Sequence, residues 1–431
     1  MRLLKTQVVL DERSAAYIGL GIAKSSGKPA GLICTSGTAA ANYFPAIVEA
    51  RHSGVPMLLL TADRPPNLRN VGASQAINQI KLYGDYPVFF HEAGEPVIKS
   101  NDIRRLEIAA SQAYHAAITK KGVAHVNFPF RKPLEPAPDF VKKIEEENQA
   151  HFANSQMPGT QFFSGIESQN LPKKLKRLFA KPSKPVIIDG PSGITRPNTS
   201  AVELAGILRA PLLSEFPLFS SNNLISSFDG FLKSQKQRNR LKADLIIRFG
   251  QQPVSKAIQL YLNDHADVPH IHFAELEEWQ DETHSVTHRF NWNGKPVKWN
   301  LKPASIDQKW VDLWQSTEQS FNQHKKKIIN RKSTLTDGAV FNWLGKRIPT
   351  RWNVFLSNSL PMSWMLFAGS PQRRTFINRG ASGIDGIIST AVGSHDCKSK
   401  TGNFIYWRFG HPPRQQRPAL SSKCLIIPSL W

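Results

Sequence analysis

Short, nearly continuous apolar runs alternate with longer small-residue or amphipathic stretches through the first 140 positions. "TQVVLDE" predicts a strand ending in acid, and "RSAAYIGLGIAKSSG" a small-residue helix closed by Gly27. "AGLICTSG" reads as a second strand. "TAAANYFPAIVEARHSG" reads as a helix with Phe44, Ile47 and Val48 on one side and Gly54 as its stop. "PMLLLTADRP" is a third strand, and "VAHVNFPF" (123–130) a further one before Pro-rich "RKPLEPAPDF" marks a domain exit. Apolar strands alternating with helices imply a parallel sheet covered on both faces, an α/β architecture.

A second, weaker repetition of the pattern runs over 160–300. "KPVIIDGPSG" is strand then turn, "TSAVELAGILRA" a helix with a capping box from Ser200 to Glu203, and "KADLIIRFGQQPVSKAIQLYL" strand, loop and helix. A third begins with the amphipathic stretch near Trp310. It continues through "TDGAVFNWLGKRI" as helix and "WNVFLSNS" as strand to "TFINRGASGIDGIISTAVG". The expected organisation is three consecutive parallel-sheet domains, 1–140, 160–300 and an incomplete 305–395, followed by an aberrant tail at 397–431 without a packed structure.

Composition narrows the function classes. No run of eighteen apolar residues occurs in the 431, so no membrane span is expected, and acid follows the basic start too soon for a signal peptide. Cys34, Cys397 and Cys424 have no metal or redox spacing, which fits a reducing cytoplasm. The formal charge of +22 raises the question of nucleic acid. Lys and Arg are scattered, however, with modest knots only at "KKLKRLFAKPSK" and "HKKKIINRK", and neither carries a nucleic-acid module. A basic surface or a preference for anionic small molecules is the simpler reading.

"DERSAAYIGLG", "CTSGTAAANYFPAIVEA", "TADRPPNLR", "GASQAINQ" and "NRGASGIDGIISTA" supply an identity for the pattern. In this order, over roughly residues 7–395, they resemble the 2-succinyl-5-enolpyruvyl-6-hydroxy-3-cyclohexene-1-carboxylate synthases of menaquinone biosynthesis, which depend on thiamine diphosphate. The resemblance implies a pyrimidine-binding domain, a middle domain and a diphosphate-binding domain. It implies decarboxylation of 2-oxoglutarate and addition of the resulting carbanion to isochorismate. It also implies a homodimer or tetramer, because the family's sites form between the first domain of one subunit and the third of another.

The same resemblance assigns residues. Glu12 takes the place of the glutamate that hydrogen-bonds the cofactor's aminopyrimidine ring; on spacing alone, a strand-end Glu pairs more often with a neighbour such as Arg13. Ser36, Gly37 and Thr38 sit at a helix start, where free N–H groups favour polar ligands, and in the family this loop lies beside the cofactor. Arg64, Gln75, Ser359 and Arg379 occupy positions like the family's substrate contacts, with Lys256 as a middle-domain candidate. Arginine can hold a carboxylate with two parallel hydrogen bonds. For each of these the plain alternative is a solvated charge or a loop hydrogen bond.

The chain departs from the family in three places. Beyond Gly393 the Gly-Asp motif and later Asn expected to hold Mg²⁺ are missing, so no metal ligand is assigned. The stretch from Cys397 to Trp431 contains no Asp or Glu and reads like a shifted frame. Ser363 stands where the family usually carries a substrate-binding Arg, and an opening strand, helix and loop are not seen before Glu12. The expectation is a member truncated at both ends and inactive by itself. The alternatives are a catalytically dead remnant or a basic protein binding anions or nucleic acid.

Overall fold

A computed structural model describes residues 6–96, 100–132, 134, 169–194, 197–292, 294–301, 307–329, 336–349, 352–358, 360–368, 374–395, 404–408 and 424–428. The chain packs as two compact units. One comprises 1–163 with 380–398, the other 164–379 with 399–431.

The first unit is built on a four-stranded parallel sheet of β1 (Ala30–Cys34), β2 (Met57–Asp63), β3 (Phe89–Glu92) and β4 (Val123–Pro129), in the order β1-β2-β4-β3. Its helices are α1 (Glu12–Ser26), α2 (Thr38–Ala41), α3 (Phe44–Ser53) and α4 (Ser100–Thr119). α1 ends at Gly27 and α3 at Gly54, each left-handed at its C-cap, as the sequence predicts. One core cluster joins Ala16, Leu20, Ile47, Met57, Leu59 and Val123. The helix Ile387–His395 returns to this unit and lies against α1 at backbone contact.

Two local expectations are corrected here. "TQVVLDE" is not a strand: residues 6–9 carry no regular structure, Val8 is 90% exposed, and Glu12 opens α1 instead. "TAAANYFPAIVEARHSG" breaks into α2 and α3, because Pro45 starts a new helix at its first turn.

The second unit holds a six-stranded parallel sheet. Its strands are β6 (Pro185–Asp189), β7 (Leu212–Ser214), β8 (Leu224–Ile225), β9 (Leu245–Phe249), β10 (His270–Ala274) and β11 (His288–Asn291). The order β11-β10-β9-β6-β7-β8 winds outward in both directions from β6 and β9. Phe249 and Phe273 stack in one core layer, and Tyr261 and Trp314 pack in the other. β5 (Gln169–Asn170) pairs with β12 (Val297–Lys298). The helix Thr199–Leu208 is capped by Asn198, which accepts from Ala201 N–H, so the box predicted from Ser200 to Glu203 is not the cap used.

The described residues of 305–395 divide between the two units at Gly380. The helix Gln308–Ile329 joins the second unit through Trp310 and Trp314, whereas Gly380 onward joins the first. β13 (Val354–Phe355) and β14 (Thr375–Phe376) form a two-stranded parallel pair above Phe341, Leu344 and Met362. In the tail, β15 (Phe404–Arg408) and β16 (Cys424–Pro428) pair in parallel, a pairing that the apolar runs "FIYWR" and "CLIIP" favour over the unpaired tail expected. The other tail positions lie outside the described residues. Among the described residues no helix is long and apolar enough to cross a membrane.

Candidate active site

Most of the predicted residues of the first unit gather at the carboxyl edge of its sheet, where parallel sheets place ligands. Glu12, half-buried at the first position of α1, lies within electrostatic reach of Cys34, the last residue of β1. Burial pushes the Cys34 thiol up to about 11, and the Glu12 carboxylate adds a smaller push in the same direction. Asp11 caps α1 by accepting the Ser14 N–H at 2.7 Å, so Glu12 is not consumed as the cap.

Ser36 and Gly37 follow β1 directly and are buried, while Thr38 is exposed. Gly37 has φ +86°, a region that side chains rarely enter. A Cβ there would come within 3.2 Å of the Gln75 carbonyl, so the two loops meet backbone to backbone. The Gly37 N–H is not free for a ligand, as a helix start would suggest, because it donates to Gln79 Oε1 at 2.8 Å.

Arg64 follows β2 and is half-buried. Its Nε donates to the Ser74 carbonyl at 3.2 Å, and its Nη2 donates to Gln75 Oε1 at 3.4 Å. Gln75 is exposed and held at φ +55°, a conformation that costs a residue with a side chain about 1 kcal/mol or more and clusters at functional sites. Arg64, Gln75 and Gly37 are therefore brought together.

Beneath them lies a buried polar network that the sequence reading missed. Gln79, fully buried, also donates its Nε2 to the Ala62 carbonyl and to Asn127 Oδ1 at 2.9 and 3.0 Å. Asn127 Nδ2 donates to Asp63 and Glu92, both 2.8 Å away, and Arg69 pairs with the same two carboxylates. Thr61 Oγ1 donates to Asn127 Oδ1 and meets His125 Nε2 at 2.8 Å. Position was the available signal: Asp63, Glu92 and Asn127 sit at or near the carboxyl ends of β2, β3 and β4, with Glu92 opposite Asn127 and Asp63 opposite Pro129.

In the second unit, Lys256 is exposed at the first position of the helix Lys256–Asp264, and its Nζ meets Gln259 Oε1 at 3.3 Å. The loop before it is fixed by Glu215, which accepts the N–H groups of Val254 and Ser255 at 3.1 and 2.5 Å. Burial pushes the Glu215 carboxyl up to about 7 against these donors, while Arg379 is close enough to pull it down. Glu215 thus links the surroundings of Lys256 and Arg379, although no motif marked it. Ser359 lies outside the described residues, and Ser363 is exposed on the helix Leu360–Ala368.

Comparison with known proteins decides the family. Residues 2–82 match "Thiamine pyrophosphate enzyme, N-terminal TPP binding domain". The chain is 34% identical over 403 residues to the 2-succinyl-5-enolpyruvyl-6-hydroxy-3-cyclohexene-1-carboxylate synthase of Microcystis aeruginosa, covering 89% of this chain and 69% of that protein. The synthase of the same name from Desulfitobacterium hafniense is 34% identical over 413 residues, covering 93% and 72%. That of Haloquadratum walsbyi is 32% identical over 446, covering 92% and 71%. The chain belongs to this synthase family.

Membership makes it a thiamine-diphosphate-dependent transferase by kind, and the described residues can be tested against that cofactor. The pyrimidine end fits: a carboxylate stands at the carboxyl end of β1 beside a loop whose glycine admits close approach. The metal end finds no match, since no group of three or more His, Cys, Asp or Glu among the described residues could hold a metal ion.

Proposed function

We propose that this member of the synthase family works on 2-oxoglutarate and isochorismate, with Glu12 as the residue that addresses thiamine diphosphate. When bound, the cofactor supplies the electron sink for decarboxylating the 2-oxo acid and joining the remaining four carbons to the second substrate. Glu12 would hydrogen-bond a ring nitrogen of the aminopyrimidine and so favour the tautomer whose exocyclic nitrogen can act as base. Ser36, Gly37 and Thr38 shape the wall beside that ring. Arg64, Gln75, Lys256, Ser359 and Arg379 receive the substrates' carboxylates and hydroxyls, the arginines through paired N–H donors. The regions 1–140, 160–300 and 305–395 serve as pyrimidine-binding, middle and partial diphosphate-binding domains. A homodimeric or tetrameric cytoplasmic enzyme is the assembly proposed with them.

The observation that carries this reading is the placement of Glu12 beside Cys34, on the sheet edge where Arg64 and Gln75 meet Gly37. Calorimetric titration of thiamine diphosphate into the chain and its Glu12→Gln variant tests it. The expected result is at least tenfold weaker binding by the variant, roughly the loss of one charge-assisted hydrogen bond. Equal affinities would remove Glu12 from the site.

A further inference from the structure

Within the first unit, the turn that follows Arg379 is held by a carboxylate that no motif marks. Glu49 lies on α3, is 2% exposed, and accepts the backbone N–H of Gly380 at 3.0 Å and of Ala381 at 2.8 Å. It also accepts the Ser53 hydroxyl at 2.7 Å, and Lys24 Nζ of α1 stands 3.5 Å away, itself buried. Four donors from three parts of the unit thus converge on one buried anion.

The turn is seated closely enough to leave no room for an alternative. A Cβ at Gly380 would lie 2.6 Å from the Glu49 carbonyl and 2.6 Å from Ser53 Oγ, so the glycine backbone rests directly on the last turns of α3. Two successive N–H groups aimed at one carboxylate fix both position and orientation of the peptide, which a single hydrogen bond does not. A buried carboxylate without such donors would be strongly unfavourable, so the arrangement is stable only with the turn in place.

We propose that Glu49 is a positioning residue, whose carboxylate clamps the Gly380–Ala381 turn and thereby sets the backbone from which Arg379 meets substrate. This rests on the assignment of Arg379 as a substrate contact, and the clamp and that assignment are separable by experiment. The clamp acts on backbone N–H groups, and the close seating admits only glycine at 380.

Hydrogen exchange followed by mass spectrometry on the whole chain reads the clamp directly. In Glu49→Gln, which keeps the shape but has one acceptor oxygen in place of two, peptides spanning 380–381 should exchange at least tenfold faster, with α1 unchanged. If loss of the counter-ion beside buried Lys24 unfolds that variant, Lys24→Met with Glu49→Gln removes both charges and gives the same readout. Titration with 2-oxoglutarate reads the consequence: Glu49→Gln and Arg379→Gln should each weaken binding about tenfold, and together no more than Arg379→Gln alone. Unaltered exchange at 380–381, or full additivity of the two losses, would overturn the proposal. Faster exchange with 2-oxoglutarate binding insensitive to Arg379→Gln would uphold the clamp and reject the substrate role of Arg379.

Discussion

Gly37 gives its backbone N–H to the side-chain oxygen of Gln79 across 42 positions of sequence, at 2.8 Å and out of contact with water. Through its amide nitrogen the same side chain reaches Ala62 and Asn127. One amide thus joins the loop after β1, the end of β2 and the end of β4. Replacing Gln79 by Ala leaves the buried Gly37 N–H without its partner, at a cost of about 1–3 kcal/mol. Urea unfolding should show that loss, and thiamine diphosphate affinity should fall with it. An unchanged midpoint would mean that the loops are held otherwise.

The contact between α1 and the helix Ile387–His395 depends on two glycines. A Cβ on Gly21 would lie 2.0 Å from the Thr390 carbonyl, and one on Gly393 would lie 2.0 Å from the Ile18 carbonyl. Neither backbone can yield as a side chain would. Gly393→Val should therefore cost more than about 3 kcal/mol or release the helix, which increased exchange across 387–395 would reveal. Gly31→Ala, where nothing lies within 4 Å, is the control and should be close to neutral.

Arg69 neutralises a pair of carboxylates at the foot of the site. Its Nη2 is 2.8 Å from buried Asp63 and 2.6 Å from half-buried Glu92. Arg69→Ala leaves Asp63 with Asn127 and the Arg64 N–H but no cation, and the expected loss is about 3–5 kcal/mol. Thermal unfolding checks it.

Stability should depend on pH through His125. Burial depresses its pKa from 6.5 to about 4, between Tyr83, Phe90 and Thr61. The unfolded chain binds the proton more readily, so the contribution of neutral His125 is complete above 6.5 and is lost as pH falls toward 4, by up to about 1.4 kcal/mol per pH unit. Glu215 runs the other way. Its carboxyl is raised by burial from 4.5 to about 7, so its contribution is complete below 4.5 and is lost as pH rises through 7. The opposing trends make a variant the right comparison: the stability of His125→Gln relative to wild type should rise as pH falls from 6.5 to 4, because the variant lacks the His125 loss while keeping the Glu215 dependence. Parallel curves for wild type and variant would exclude His125.

The alternation of apolar runs with small-residue helices determined the α/β class, the positions of β1, β2, β4, β6 and β9, and the glycine stops of α1 and α3. These are local properties, since a buried parallel strand must be apolar throughout and a left-handed helix end favours glycine. Glu12, Arg64, Gln75 and Arg379 could be named because long motifs surround them. The structure alone decided that residues 6–9 of "TQVVLDE" carry no regular structure and Glu12 opens α1, and that 380–395 belongs with the first unit. It alone revealed Gln79, Asn127, Glu49 and Glu215 as the groups holding the site loops. The partners of those four side chains stand between 17 and 332 positions away, apart from Glu49's bond to Ser53. A buried amide or carboxylate looks like any other until folding removes water from around it, and only then do its partners become obligatory.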